Sequence, residues 1–284
     1  MAGVLAACGR PTSEAVPSPP SRGGATTPPA TSATEPRPVT PTAAAIASGR
    51  AIIERVRAAG GGPALTALRS VEATGTSRMT AVRAVRQLRI MALFPQFYRQ
   101  EEAPQRGTIG RPLHVTMGFQ GEWGWMTGAR LGGDGRSPNR AVAERAYTRA
   151  VRQAMAGFLA GVNAPWLVDT GKYTVTDAGT VEAGADRGAL AVLIDGPDGR
   201  VGRILIDPGT HLPRRFIEPP QPGGGGAAAV ADIVFTYSDY TPQAGLQLPH
   251  TIVRENGRNR TVWSITQYTL NPRLPPRLFS QTGR

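Results

Sequence analysis

The sequence is short of the residue types on which several classes of protein depend. It has one cysteine, Cys8, and three histidines among 284 residues. A single cysteine excludes an internal disulfide and any zinc site that needs two or more thiolates. No HExxH motif or other close histidine pair is present, so no metal and no cofactor are predicted. No apolar run reaches the ~18 residues of a membrane-spanning helix.

Lysine is almost absent from a strongly basic chain. The formal net charge is +12, and Lys172 is the only lysine. Such an excess fits an acidic partner, for example nucleic acid or an anionic membrane. The arginines are scattered, however, without a basic run, zinc-finger spacing or RNA-recognition motif, so no nucleic-acid partner is predicted. Two interpretations of the charge stay open, which are contact with an anionic lipid surface and an ordinary solvated surface.

The first part of the chain differs in composition from the rest. Residues 9–42 are rich in Pro, Ser, Thr, Ala and Gly and contain no aromatic residue. They cannot bury enough apolar surface to offset the cost of ordering their backbone, so we predict a disordered tether. Its prolines favour polyproline II, which makes a semi-rigid spacer. Residues 43–284 are long enough for one β-rich domain.

The residues before the tether, Leu5-Ala6-Ala7-Cys8, resemble the lipobox of bacterial lipoproteins. The resemblance implies that residues 1–8 are the remnant of a lipoprotein signal and that Cys8 is acylated. The protein would then be anchored to a membrane of the cell envelope and face the periplasm. Gly9 in place of Asp implies the outer membrane if the host is Gram-negative.

The lead-in to Cys8 departs from the lipoprotein pattern. Only seven residues precede Cys8 and none is basic, whereas a signal peptide needs a charged segment and ~7–15 apolar residues. Two interpretations follow. Either the signal extends upstream of Met1, or the position of Cys8 is coincidental.

Hydrophobic periodicity predicts an α+β fold that is mostly β. Residues 43–59 and 138–160 show helical spacing, and the glycines after each segment favour helix ends. Between and after them a period of two predicts about eleven strands. The expected architecture is a strongly curved antiparallel sheet, a half-barrel, with the helices packed on its concave side. Arg145, Arg149 and Arg152 follow one face of the second helix, either as a site for anionic headgroups or as a solvated face.

The same order of elements is similar to the LolA/LolB-like fold of periplasmic lipoprotein-binding proteins, which sort outer-membrane lipoproteins. The resemblance spans roughly residues 60–270. The stretches that carry it are PALTALRSVEATG (63–75), FQGEWGW (119–125), IDPGTHLP (206–213), and YSDY (237–240) with GLQLPH (245–250). These motifs are turns and strand ends, so they indicate the fold more than the function.

The resemblance implies that the concave face holds hydrophobic cargo, such as an acyl chain or lipid or the lipid part of a lipoprotein, without covalent chemistry. We expect a monomer. The predicted lining residues are Leu88, Ile90, Phe94, Val115, Met117, Phe119, Trp123, Trp125 and Phe158. For the tryptophans, lining a pocket and filling the core stay equally open. The alternative function is a protein-interaction or envelope-sensor module on the same scaffold. An empty cleft beneath residues 138–160 would favour the carrier, and a filled one the module.

No catalytic residue is predicted, and the protein is not expected to be an enzyme. The serines lack a nucleophile elbow, the histidines are far apart in sequence, and the acidic strand residues are expected to be solvated. The candidates considered are Ser77, Ser264, His114, His211, His250, Asp232, Asp239 and Glu255.

Overall fold

The computed structural model describes residues 40–80, 84–104, 114–121, 123–128, 140–162, 171–197, 199–219, 232–257 and 259–281. They all fall within the unit Pro41–Arg284, apart from Thr40. Cys8 and residues 9–39 lie outside the described residues, so the lipid anchor and the tether stay predictions.

Twelve strands and three α-helices build the described fold. The helices are α1 (Ala43–Gly60), α2 (Pro63–Ala67) and α3 (Arg140–Gly161), and two short 3-10 helices lie at Gly184–Asp186 and Pro276–Phe279. The strands are β1 (Ser70–Met79), β2 (Ala84–Leu93), β3 (Phe97–Pro104), β4 (Val115–Gln120), β5 (Trp123–Thr127), β6 (Thr174–Thr180), β7 (Leu190–Gly196), β8 (Gly199–Ile206), β9 (Pro213–Glu218), β10 (Ile233–Gln243), β11 (Leu246–Asn256) and β12 (Asn259–Leu270).

All twelve strands lie in one antiparallel sheet with the order β5-β4-β3-β2-β1-β12-β11-β10-β9-β8-β7-β6. Strands that follow each other along the chain pair, except β5 and β6, and β1 also pairs with β12 near the centre. The sheet therefore has two wings, β1–β5 and β6–β12, with β5 and β6 at its edges. This confirms the predicted α+β, mostly β, antiparallel fold, with twelve strands in place of about eleven.

The sheet curves strongly around α3. Phe158 of this helix lies against Tyr98 of β3, with ring centroids 6.2 Å apart. The carbonyl of the preceding residue, Gly157, accepts a 2.6 Å hydrogen bond from the Tyr237 hydroxyl on β10. β3 and β10 are five positions apart in the strand order, about 24 Å in a flat sheet. Two consecutive helix residues reach both strands because the two wings close around the helix.

We call the side of the sheet that surrounds α3 the concave face. Strand residues alternate between the two faces, and the inward ones form one continuous apolar cluster with α3 and α1. Its most deeply buried members include Val71, Ile90, Tyr98, Val151, Phe158, Val192, Ile206, Phe216, Phe235, Leu248 and Ile252. Helices on the concave side are thus confirmed.

Helix α1 covers the β6 end of this face. Its first turn is capped by the Thr42 side chain, which accepts a 3.2 Å hydrogen bond from the Ala45 amide. Gly61 ends the helix with φ 137°, a value that favours glycine. A Cβ on Gly49 would lie 2.8–2.9 Å from the backbone of residues 175–177. This glycine therefore lets the helix backbone rest directly on β6.

A segment that we call the C-terminal strap, residues 271–281, crosses the convex face of the β1–β5 wing. Phe279 and Leu274 pack there against Met91 in a second apolar cluster. The Arg99 side chain donates a 2.6 Å hydrogen bond to the Leu278 carbonyl. The strap therefore covers apolar side chains that the alternation of β2 and β3 turns away from the concave face.

The helix predictions agree with the structure. The expected helices at 43–59 and 138–160 are observed as Ala43–Gly60 and Arg140–Gly161. Residues 137–139, the expected N-terminus of the second helix, lie outside the described residues. Among the helices that the structure describes, none combines the length and the apolar character needed to cross a bilayer.

Candidate functional site: the concave face

Seven of the nine predicted lining residues lie on or against the concave face. The strand register places Leu88 and Ile90 of β2 beside inward residues of β3, which in turn lie beside β4. The inward side chains of β4 are Val115, Met117 and Phe119, and Phe158 faces them from α3 while Phe94 packs at the margin of the same cluster. The structure thus brings these seven together. Their role in holding a ligand stays a prediction.

The placement of Trp123 and Trp125 with this group is wrong. In the register of β4 and β5, Trp125 lies beside Gly118 and Trp123 beside Gln120, while Gly124 lies beside the inward Phe119. Both tryptophans therefore point to the convex face. Trp125 is buried there, and its indole N–H donates a 2.9 Å hydrogen bond to a carbonyl of the C-terminal strap. Trp123 is 46% exposed.

A close approach of α3 explains this orientation. A Cβ on Gly124 would lie 2.8 Å from the Thr148 Cα of the helix, and no real Cβ tolerates such a contact. The Gly124 amide also donates a 2.9 Å hydrogen bond to the Thr148 hydroxyl. Only glycine fits at position 124 on the inward side of β5, so the tryptophans on either side of it face outward.

The space between α3 and the opposite wing is filled as well. A Cβ on Gly157 would lie 2.3–2.5 Å from three ring atoms of Phe235, and one on Gly161 would lie 2.6 Å from the Tyr237 ring. The glycines let the helix backbone rest on these rings. At the contacts that the structure describes, the helix and the sheet leave no gap. A filled cleft favours the protein-interaction or sensor module over the carrier.

A polar network interrupts the apolar surface on the β1–β3 side. Glu102 is its centre and accepts hydrogen bonds from the Ser77 hydroxyl at 3.2 Å and from the Gln100 amide at 2.9 Å. Arg86 pairs with its second oxygen at 3.1 Å. The Tyr98 hydroxyl donates to Gln100 at 2.8 Å. Each of these five side chains has a partner, so this network is a satisfied, fixed part of the wall.

The opposite wing carries buried polar groups that are not satisfied. Arg254 on β11, Trp263 on β12 and Glu218 on β9 all point into the concave face, by the register of these strands with β10. The buried atoms Arg254 Nε, Trp263 Nε1 and Glu218 Oε2 have no hydrogen-bond partner within the part of the chain that the structure describes. The Arg254 guanidinium lies 6.0 Å from the Phe235 ring centroid.

Burial dominates the electrostatics of this group. It raises the pKa of Glu218 from 4.5 to about 7, although a hydrogen bond from the Gln153 side chain of α3 and the charge of Arg254 oppose the rise. Burial also lowers the pKa of Arg254, and the carboxylates of Glu218 and Glu102 partly offset that effect. The ionised form of Glu218 is therefore costly at neutral pH.

This gives a prediction for the pH dependence of stability. Native Glu218 keeps its proton up to about pH 7, whereas the unfolded chain releases it near 4.5. The native state binds more protons between these values, so the contribution of Glu218 to stability falls as the pH rises through this range. The free energy of unfolding of Glu218→Gln should therefore exceed that of the wild type by about 3 kcal/mol near pH 8, with little difference near pH 4. Urea denaturation at both pH values measures this, and parallel pH profiles for the two proteins would contradict it.

The histidines and the other acidic candidates do not converge. His250 Nδ1 lies 2.8 Å from the Ile265 carbonyl, and His114 is exposed. His211 lies in a turn with φ 56°. Glu255 pairs with Arg260 at the surface at 3.3 Å. Among the described residues, no three His, Cys, Asp or Glu side chains are grouped as a metal site would need.

Sequence reasoning missed Glu218, Arg254 and Trp263. One signal for Arg254 was available, because it continues the inward alternation of Leu248, His250 and Ile252 along β11. An arginine at an inward position of a half-buried strand is unusual and could have been singled out. The meeting of β9, β11 and β12 side chains, by contrast, depends on the curvature of the whole sheet.

These features define a curved antiparallel sheet that encloses a helix. The structure is similar to a LolA superfamily protein from Nitrosomonas europaea, with a TM-score of 0.48, 13% identity, and coverage of 82% of this chain and 97% of that one. It is also similar to a DUF1329 family protein from Desulfovibrio piger, with a TM-score of 0.44, 10% identity, and coverage of 84% and 98%.

A third similar structure is LprF from Mycobacterium bovis, with a TM-score of 0.27, 13% identity, and coverage of 84% and 98%. No family model matches the sequence, and neither does any curated protein.

Proposed function

We propose that this domain binds the acyl part of a lipid or lipoprotein non-covalently within the concave face, and that α3 occupies this space when no ligand is bound. The observation that supports it is the continuous apolar cluster that lines the concave face and buries α3, since the same surface would bury an acyl chain. The helix rests on the rings of the sheet through Gly157 and Gly161. The Tyr237 hydroxyl donates a 2.6 Å hydrogen bond to the Gly157 carbonyl. The Tyr240 hydroxyl donates to the Pro213 carbonyl at 2.9 Å and also lies 3.3 Å from the Gly161 carbonyl.

The magnitudes allow such an exchange. The inward apolar side chains of α3 include Val151, Met155, Phe158 and Leu159, each of which contributes about 1.5–3 kcal/mol by burial. An acyl chain contributes about 0.8 kcal/mol for each buried methylene. A chain of roughly a dozen methylenes therefore matches the contribution of the helix, and neither occupant is overwhelmingly favoured.

Binding can be tested on the wall opposite α3. Met117→Gln places an amide of similar length on the concave face, at a half-buried position beside the inward Gln100. We expect it to weaken uptake of dodecanoate about tenfold, because the acyl chain loses an apolar contact worth roughly 1.5 kcal/mol. Native mass spectrometry of the full chain during titration measures the bound fraction.

Leu93→Gln is the matched control for this variant. Leu93 is also half-buried but belongs to the convex cluster around Met91. Its replacement should alter stability without altering dodecanoate uptake. Wild-type spectra that stay free of ligand throughout the titration would overturn the proposed function.

The second candidate is a protein-interaction or sensor module, and one observation favours it. The concave face is filled by the protein's own residues wherever the described part of α3 touches the sheet. A wild-type protein that takes up no lipid, yet folds cooperatively, would support this candidate.

The location of the protein is part of the same proposal. Acylation of Cys8 would anchor the domain to a membrane of the cell envelope, with residues 9–42 as a spacer that clears the lipid headgroups. The genomic sequence upstream of Met1 provides the test. An in-frame basic and apolar segment supports the anchor, and an in-frame stop codon contradicts it.

A further inference from the structure

The unsatisfied atoms of Arg254, Trp263 and Glu218 are unusual in a folded core. Most buried polar atoms in proteins have a hydrogen-bond partner, and each exception calls for an explanation. Here three such atoms come from the inward faces of β9, β11 and β12, which belong to one wing. Two of them, Arg254 Nε and Trp263 Nε1, are donors, and a guanidinium and an indole N–H have no alternative tautomer that would remove the unmet donor.

The two donors flank the same aromatic ring. The Arg254 guanidinium lies 6.0 Å from the Phe235 centroid, and the Trp263 ring centroid lies 6.3 Å from it. Arg254 and Trp263 also lie on adjacent strands, where Arg254 is beside Thr261 and Trp263 is beside Ile252. Donors from two strands are thus arranged around one apolar floor.

Among the described residues, the acidic side chains that interact with Arg254 do not satisfy these donors. Glu102 attracts Arg254 electrostatically, but its oxygens are already bonded to Ser77, Gln100 and Arg86. Glu218 also attracts Arg254 without a hydrogen bond that would satisfy Arg254 Nε. An acceptor from outside the chain would satisfy both donors.

We propose that Arg254 and Trp263 bind the anionic head group, a carboxylate or a phosphate, of an amphiphile whose acyl chain lies along the concave face. This rests on the proposed function and assigns a ligand class to it. The Arg254 Nε–H and the Trp263 Nε1–H donate to the oxygens of the head group. The apolar cluster that includes Phe235, Trp263 and Ile252 runs on from this point, so the chain of the amphiphile stays in apolar surroundings.

Glu218 adds a pH dependence to this site. An ionised carboxylate there would repel an anionic head group, whereas the protonated form can donate a hydrogen bond to it. The charged and titratable groups that face the site are Glu218 from β9, Arg254 from β11, and Tyr98 and Glu102 from β3, with the neutral Gln153 from α3. Burial raises the pKa of Glu218 to about 7, so binding of the anion should strengthen as the pH falls through neutrality.

The test compares three ligands with one chain length: dodecanoate, dodecyl phosphate and dodecanol. The full-length wild type should bind at least one of the two anions about tenfold or more tightly than the neutral alcohol, because a hydrogen bond to a charged group is lost with dodecanol. The preferred anion shows whether the head group is a carboxylate or a phosphate. Isothermal titration calorimetry below the micelle concentration measures all three affinities.

Arg254→Met should remove this preference through a loss of about tenfold in affinity for the preferred anion. Arg203→Met removes the same charge from an exposed position on the convex side of β8 and should keep the preference. Arg254 Nε makes no hydrogen bond that its replacement would remove. The thermal unfolding midpoint of Arg254→Met should therefore equal that of the wild type, and measuring it is the folding control. Equal affinities of the wild type for the three ligands would overturn the head-group site alone. Binding of none of them would overturn the proposed function.

Discussion

Gly157→Ala should lower the free energy of unfolding by about 2–3 kcal/mol, although it adds only one methyl group. At an exposed position inside a helix the same change would raise stability by about 1 kcal/mol. Here the added Cβ would lie 2.3–2.5 Å from three atoms of the Phe235 ring, which is fully buried and cannot move aside. Urea denaturation monitored by circular dichroism measures the loss. If α3 is the element that a ligand displaces, the variant should also take up dodecanoate more readily.

A second substitution tests the cause of this loss. Phe235→Leu removes the ring that the added methyl group would strike, at its own cost in packing. In that background Gly157→Ala should be close to neutral, so that the two changes show a coupling energy of about 2 kcal/mol. If the two changes in free energy of unfolding are additive, the contact between Gly157 and Phe235 does not determine how the helix packs on the sheet.

Trp125→Ala should lower the free energy of unfolding by about 3–5 kcal/mol. Its side chain is 4% exposed and joins the β1–β5 wing to the C-terminal strap through the indole bond to the Phe279 carbonyl. The Arg99 guanidinium also lies 5.6 Å from its ring centroid. Truncation removes the packing, the hydrogen bond and the cation–π contact together.

Trp123→Ala provides the matched control, since Trp123 has the same residue type, strand and face. It is 46% exposed, so the loss should stay below about 1 kcal/mol. Chemical denaturation of both variants measures the difference. A loss of dodecanoate uptake on Trp123→Ala, at unchanged stability, would contradict its place outside the concave face.

Local sequence patterns predicted most of the secondary structure. The alternation in β2 assigned Leu88 and Ile90 to the inward face correctly, because polar or outward residues separate them. The helical spacing of α3 likewise identified Phe158 as a residue of the apolar stripe. Both predictions depend on periods of two or 3.6 residues, which a single strand or helix displays by itself.

The same reasoning was wrong for β5, because Trp123 and Trp125 face outward and Gly124 between them faces inward. Trp123 and Trp125 are the large residues of that strand, and size suggested an inward position. The inward position instead belongs to Gly124, because Thr148 of α3 passes so close to it. That contact joins two segments that are distant in sequence, and nothing within the strand reports it.

The group around Arg254 could not be predicted for a related reason. Glu218, Arg254 and Trp263 belong to three strands, and only the register of β9 to β12 brings them onto one wall. The sequence shows an inward arginine at most. Its unmet donor becomes visible only when every neighbouring acceptor is located.

The pairing of β1 with β12 has a consequence for how the domain folds. The side chain of Thr266 on β12 donates a hydrogen bond to the carbonyl of Thr74 on β1, across 192 residues of sequence. Each wing can form hairpins from neighbouring strands, but the two halves join only when these distant strands meet. Contacts of such long range slow folding and leave strand edges exposed in the meantime. During synthesis, β1 therefore keeps one unpaired edge until the ribosome has completed β12. This edge is where a chaperone would be needed most.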